Sequence, residues 1–557
     1  MFNNNKILVV IPADGGSKEI PRKNIRLLYN KPLIYYAITI AKSSQYVDDV
    51  VVATDDNDIS MISEKYGANV IRCSADLSGG NTPLDSIVYN TMIQKEKITF
   101  DEYDIVITLD PSSPLIKTQT LNRVIEKFND FSIDNVITVV DDRHLSWGFD
   151  ENNQRFFPNY IERVSNDKLP KSFRETGGIL ASRRHCVHEN TRLGTNIDLI
   201  EVSKAESVYI CNFDDWWIAD NYLQRKKIAF VVNAYEDIGT GHIDRCLSIA
   251  SRLILHDVLF LLDKHYQLGI DIISEFNFPF EIYNNEKELH NILNQYSPQL
   301  VINDILDTSE DYVSSLKDEG YFVVNFDDLG LGTNHADVVF DSFYEHDFGE
   351  ENVFSGYKYF VLKDEFYFRS SKFINEGVSN VLVAFGTSDP DNLTEKVVDS
   401  ILSTNYEGRV NVILGLANNN LERLISKYER NPLIQIYRDV SNISEFMYNA
   451  DIIFTSAGRV MYEVCSMGVP TICLCQNERE LTHKFVNENN GFINLGLGND
   501  VENQQIIDEF IRLFNNFDLR VEMNSKMLSI DLKNGFENIW SVITDQYRKF
   551  ELNNQNK

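Results

Sequence analysis

KKIAFVVNAYEDIGTGHIDRCLSIASRL, residues 226–253, passes from a β-branched apolar run through a glycine turn into an amphipathic stretch. Strand, tight turn and helix in that order open a parallel α/β sheet. The pattern stands at two more places. KILVVIPADGG starts it at Lys6, and NVLVAFGTSDPDNLTEKVVDSIL starts it again at Asn380. A chain of 557 residues exceeds what one hydrophobic core supports, and these restarts are where it divides. The expected architecture is one α/β nucleotide-type domain over residues 1–226, then two Rossmann-like lobes over 227–375 and 376–557. Gln224, Arg225, Lys226 and Lys227 mark the first boundary with charge and no proline- or glycine-rich linker.

Inside the first domain, KILVVIPA, DDVVVATD, DIVITLDP and NVITVV read as strands. KPLIYYAITIAKSS, the stretch Ile59–Tyr66 and TLNRVIEKFND read as helices. The alternation predicts a largely parallel sheet covered on both faces.

Composition narrows the function classes. Hydrophobic residues make up 43% and charged residues 24%, as in a soluble enzyme. No apolar run approaches the roughly 18 residues of a membrane span, and the N-terminus lacks a signal-peptide cleavage site, so a cytoplasmic location is expected. The seven cysteines never fall as CxxC, which fits free thiols in a reducing compartment. A formal charge of −31 argues against nucleic acid or an anionic membrane as partner. It leaves room for a phosphorylated small molecule held by local amides and cations.

The loop IPADGGSKEIPRKNI follows the first strand. Gly15 and Gly16 let a ligand approach the backbone, and Ser17, Lys18, Arg22, Lys23 and Asn24 supply donors for phosphate. A plain turn is the bland alternative. The position after strand one and the PRKN cluster favour nucleotide binding.

With VVVATDD, LSGGNTPLDSI, LDPSSPL and FRETGGIL following in order, residues 5–225 resemble the acylneuraminate cytidylyltransferase family. That resemblance implies a single, usually dimeric α/β domain that uses Mg²⁺ to transfer CMP from CTP to sialic-type sugars. The chain departs from it at defined places. Asp14 stands where the family has a triphosphate-facing arginine, Asp110 replaces a glutamine and Ile116 replaces an arginine. In VYICNFDDWW the family's two metal aspartates are Tyr209 and Cys211, leaving Asp215 as the surviving acid. Phenol and thiol are poor ligands for a hard cation. Two readings follow: a domain that binds a nucleotide or sugar or only scaffolds, and a synthetase with a rewired site.

In the second half, GTGHIDRC puts His242 at a helix N-terminus between Gly239, Gly241 and Arg245. A histidine there suits general-base work, although a lone histidine is more often structural. Gly386, Thr387 and Ser388 offer backbone amides to a diphosphate. Ala457 and Gly458 end another strand, and Glu463, one turn on, is placed to accept from ribose hydroxyls. These residues, with VINDILD, VNFDDLG, FGTSDP, AGRVMYE and CQNERELTH, resemble the UDP-sugar hydrolases of bacterial nonulosonic acid synthesis and related spore-coat polysaccharide proteins. The resemblance covers about residues 228–545. It implies a two-lobed GT-B-type fold, His242 as base, Gly241, Arg245, Gly458 and Glu463 at the nucleotide, Asn477 near sugar or phosphate, and no metal. His483 is a second acid/base candidate or a helix-face residue. The expected ligands are a UDP-sugar and CTP or a CMP-sugar, and the expected assembly is a homodimer through the first domain. A glycosyltransferase, or a hydrolase with a non-catalytic dimerising domain, are the competing readings.

Overall fold

In a computed structural model, the chain forms two compact units, residues 1–225 and 226–557. The structure describes all residues except 1, 3, 4, 18, 74–82, 235–239, 344–350, 387, 388, 416, 417, 419, 439, 441, 556 and 557. Lys18, Gly239, Thr387, Ser388 and most of LSGGNTPLDSI therefore lie outside the described residues.

The first unit is built on a seven-stranded sheet. Its spatial order is Ile197–Glu201, Asn135–Asp141, Phe173–Arg183, Ile105–Leu109, Ile7–Pro12, Asp49–Thr54 and Asn69–Arg72. Ile7, Val9 and Ile11 point into one layer with Ile34 and Ile38, and Leu8 and Val10 into the opposite layer with Val88 and Met92. Burial on both faces explains why that strand is apolar without alternation. The sheet is largely parallel, as expected, with one exception. Phe173–Arg183 runs antiparallel to both neighbours, and its pairing with Asn135–Asp141 slips between Glu175 and Leu180. Gly177 supplies a φ of 74° within the slip.

The second unit holds two all-parallel sheets. One is ordered Phe280–Tyr283, Asp257–Asp263, Lys227–Val232, Leu300–Asp304, Phe322–Phe326, Val338–Asp341 and Val353–Ser355. The other is ordered Ile434–Arg438, Arg409–Leu414, Asn380–Ala384, Ile452–Thr455, Thr471–Cys475 and Phe492–Leu497. In each, the order reverses between the first strand and the fourth, the switch point outside which α/β sheets bind ligands. The result is a two-lobed module of GT-B type. The helix Gly535–Gln555, after the second sheet in sequence, returns to the first. Its Ile539, Ile543 and Tyr547 are buried with Ile228, Phe230 and Val232. No helix among the described residues is long and apolar enough to cross a membrane.

Gly535 opens that returning helix against the backbone of the first lobe. A Cβ there would lie 1.7 Å from the Phe360 carbonyl oxygen, whereas one at Gly377 would meet nothing within 4 Å. Gly535→Ala is expected to cost about 2–4 kcal/mol in urea unfolding. Gly377→Ala, with no clash to relieve, should shift stability by less than about 1 kcal/mol.

Candidate functional site

The topology of the first lobe brings together residues far apart in sequence. Lys227–Val232 pairs with Leu300–Asp304 so that Val232 stands opposite Asp304 at the carboxyl ends of both strands. The helix Gly241–Ala250 starts just beyond, with His242 in its first turn as expected. His242 Nδ1 lies 2.5 Å from Asp304 Oδ1. A carboxylate acceptor requires the proton on Nδ1, which leaves Nε2 as the basic ring atom.

Asp304 is fully buried and is gripped from behind. Arg245 donates from Nε to Oδ2 and from Nη2 to Oδ1, both at 2.7 Å, and from Nη1 to Asp327. Burial opposes the charge on Asp304, but the Arg245 guanidinium and His242 outweigh it and hold the carboxyl well below the usual range. Arg245 was expected at the nucleotide. The structure corrects that: the side chain is 2% exposed, its donors serve Asp304 and Asp327, and its guanidinium rests over Phe326. It positions the His242–Asp304 pair and offers no surface to a ligand. The sequence signal for Asp304 and Asp327 was present in VINDILD and VNFDDLG, but strand pairing, not spacing, assigns them.

A cavity of about 780 Å³ lies between the lobes, a size suited to a small organic ligand. Gly241, Asp244 and Lys363 reach it from the first lobe, and Gly386, Gly458 and Glu463 from the second. Asn477 and Glu480 line it too, whereas His242 itself does not. Gly386 needs its glycine for a φ of 84°. Glu463 is 5% exposed, and burial pushes its carboxyl up against the opposing pull of Lys363 and Arg459. Asn477 uses its side-chain oxygen to accept from Glu480 N at 3.0 Å, capping the short helix Glu478–Leu481. Glu480, which sequence reasoning missed, accepts from Gln476 N and Ala457 N and so ties together two of the loops facing the cavity. His483 is buried, donates from Nδ1 to the Ala457 carbonyl at 2.7 Å and stacks on Phe343. It supports the Gly458 loop from behind.

The first unit has its own cavity, about 230 Å³, outside the switch point between Ile7–Pro12 and Ile105–Leu109. Asp14, Lys23, Asn24, Asp110 and Tyr209 are among its walls. Gly15 N donates to Asp55, and a Cβ at Gly15 would collide with Asp56; at Gly16 there is open space. The donors expected for phosphate are largely committed. Arg22 pairs with Asp58, Lys23 donates to Ser112 Oγ at 2.8 Å and to the Ile210 carbonyl, and Asn24 holds the Asp14 carbonyl. Ser17 is half-buried and is not among the residues lining the cavity. The donors needed for Mg²⁺ do not fit. Tyr209 donates its hydroxyl to Asp110 Oδ2 at 3.0 Å, and burial, then Asp110, pushes the phenol up. Cys211 is an exposed thiol, and Asp215 Oδ2 accepts from the backbone of Cys211 and Asn212 as half of a capping box.

The buried pair sets a stability test. Asp304 ionises more readily in the fold than at its ordinary value of 3.8. Its stabilisation is therefore complete above that pH and lost as pH falls towards the folded value. Asp304→Asn strands part of the Arg245 charge and is expected to cost about 3–5 kcal/mol at neutral pH. Urea titrations should also show the variant losing less stability than the unaltered chain between about pH 5 and pH 2.

The cytidylyltransferase family model matches residues 8–163. An uncharacterized protein of Methanocaldococcus jannaschii is 33% identical over 272 residues, covering 45% of this chain and 56% of that protein. A CMP-N,N'-diacetyllegionaminic acid synthase of Legionella pneumophila is 37% identical over 123 residues, covering 22% and 52%. The alignments thus span about half the length of these curated relatives. Among solved structures, MurG of Acinetobacter baumannii aligns with a TM-score of 0.44 at 16% identity, over 57% of this chain and 99% of its own. Residues 8–163 carry a domain of the cytidylyltransferase family at the head of the first unit.

Proposed function

We propose that the second unit hydrolyses a nucleoside-diphosphate sugar, with a UDP-linked amino sugar as substrate, and that the first unit binds a cytidine nucleotide or CMP-sugar with vestigial CMP transfer. The observation that carries the hydrolase reading is the His242–Asp304 pair at the switch point beside the cavity. Nε2 of His242 takes a proton from water as its oxygen bonds to the anomeric carbon. The bond from that carbon to the diphosphate breaks, and the nucleoside diphosphate leaves with the electron pair. Asp304 supports the imidazolium that forms, and Arg245 keeps Asp304 ionised. Backbone amides at Gly458 and the start of the helix Val460–Met467 stabilise the departing phosphates.

One observation favours a second reading for the same cleft. Leu247, Ile272, Phe276 and Phe278 form an apolar wall on its first-lobe side, which suits a sugar or lipid-linked acceptor better than water. That reading is glycosyl transfer with the same base.

Among the described residues lining the first unit's cavity, Asp14, Asp55 and Asp110 stand with Lys23, whose ammonium already donates to Ser112 and the Ile210 carbonyl, a setting that disfavours a triphosphate. Support for self-association comes from the hairpin of Trp147–Asp150 and Arg155–Pro158. Trp147, Phe149 and Phe156 share one of its faces at 55%, 45% and 73% exposure, and an isolated two-stranded hairpin is marginal in water.

Release of UDP from a panel of UDP-sugars tests the cleft. The intact chain is expected to release UDP in water alone, and His242→Ala to slow release by about 10²–10⁴-fold. Turnover only after an acceptor is added would replace hydrolysis with transfer. Light scattering tests the hairpin: the unaltered chain should run as a dimer and Phe149→Ser/Phe156→Ser as a monomer. A monomeric unaltered chain would remove the self-association reading.

A further inference from the structure

Arg459 stands in the loop that ends the strand Ile452–Thr455, immediately before the helix Val460–Met467. It lines the interlobe cavity, and sequence reasoning passed over it inside AGRVMYE. Its stem crosses towards the first lobe. A Cβ on Gly241 would lie 2.6 Å from Arg459 Cδ, so the start of the helix Gly241–Ala250 admits this arginine only because position 241 is glycine. Beyond that point the guanidinium rests over the Phe360 ring and donates from Nη2 to the Val361 carbonyl at 3.3 Å.

The charge balance around it is unusual. The other lining cation, Lys363, has a counterion: its ammonium is 3.0 Å from Asp244. Among the described residues no carboxylate forms an ion pair with Arg459. Asp244 and Glu463 attract its charge, but only from beyond ion-pair distance. Burial, and Arg245 behind it, weigh against the charge on Arg459 itself. A guanidinium keeps its proton nonetheless, and sequestered charges are paired in stable structures. Among the described residues it has no anion in contact on the cavity side, where it joins the N-terminus of an eight-residue helix.

We infer that Arg459 is the cationic ligand for the diphosphate of the nucleotide sugar, bridging it to the glycine turn of the first lobe. The inference rests on the reading of the cleft as a nucleotide-sugar site and names the group that recognises the diphosphate there. Arg459 then selects nucleoside diphosphates over monophosphates, because the fork binds phosphate oxygens with two donors at once. It also stabilises the leaving group as charge develops on it.

Calorimetric titration of the full chain with UDP, UMP and uridine tests this. The unaltered chain should bind UDP most tightly. Arg459→Met should weaken UDP by about 10- to 150-fold, the worth of hydrogen bonds to a charged group, and leave uridine within about twofold. Arg459→Lys should recover part of the loss. Gly241→Ala, which displaces the arginine without removing it, should reproduce the selective loss and serves if Arg459→Met does not fold. UDP binding unchanged in both variants overturns the assignment and leaves the cleft reading intact. So does an equal loss of UDP and uridine, which would make Arg459 a support of the lobe. Failure of the unaltered chain to bind any of the three overturns the cleft reading and this assignment with it.

Discussion

The second unit depends on one buried carboxylate with two claimants. Asp304 ends the fourth strand in sequence of the first lobe and is shared by His242 on its ligand side and Arg245 on its core side. Neither claimant is dispensable to the other. Without Arg245, burial would favour the protonated acid, and the histidine would lose the acceptor that fixes its ring. Without Asp304, Arg245 would be a buried cation with Asp327 alone. The parallel pairing of Lys227–Val232 with Leu300–Asp304 holds this triad in register.

How much of this was legible in the sequence follows from the physics of each feature. The three strand–turn–helix openings are local, so they could be read, and His242 at the start of its helix is equally local. Asp304 lies 62 residues from His242, and only sheet pairing makes them neighbours. Arg245 shows the limit most clearly. The family resemblance puts it at the nucleotide, but a helix has an inner face, and Arg245 is on it. Glu463 followed the opposite course: flanking apolar residues marked it as inward, and it is buried. The antiparallel strand Phe173–Arg183 could not be read from alternation, because direction within a sheet is set by connections and not by composition.

The two units use similar switch-point architecture, and carboxylates outnumber cations among the described residues lining both cavities. In the second, Lys363 and Arg459 share the described lining with six carboxylates, of which Asp244 and Asp364 are ion-paired and Glu463 is buried. In the first, carboxylates face the cavity and the nearby cations are spent on Asp58, Ser112 and Ile210. Tyr209 packs against Gly177, at a φ that glycine adopts without strain, and donates its hydroxyl to Asp110. Family membership of residues 8–163 and the chemistry of that pocket are thus separate matters.

The returning helix has a consequence for how the chain is made. The strands of the first lobe are complete by Ser355, but the helix that covers them begins at Gly535, about 180 residues later. At ribosomal rates of about 5–20 residues per second, Ile228, Phe230 and Val232 wait roughly 10–40 s for Ile539 and Ile543 to emerge. During that interval the nascent lobe exposes an apolar face, and the second lobe can fold entirely before the first is closed. The chaperone demand of this protein therefore falls on its middle third, whose folding is finished by its end.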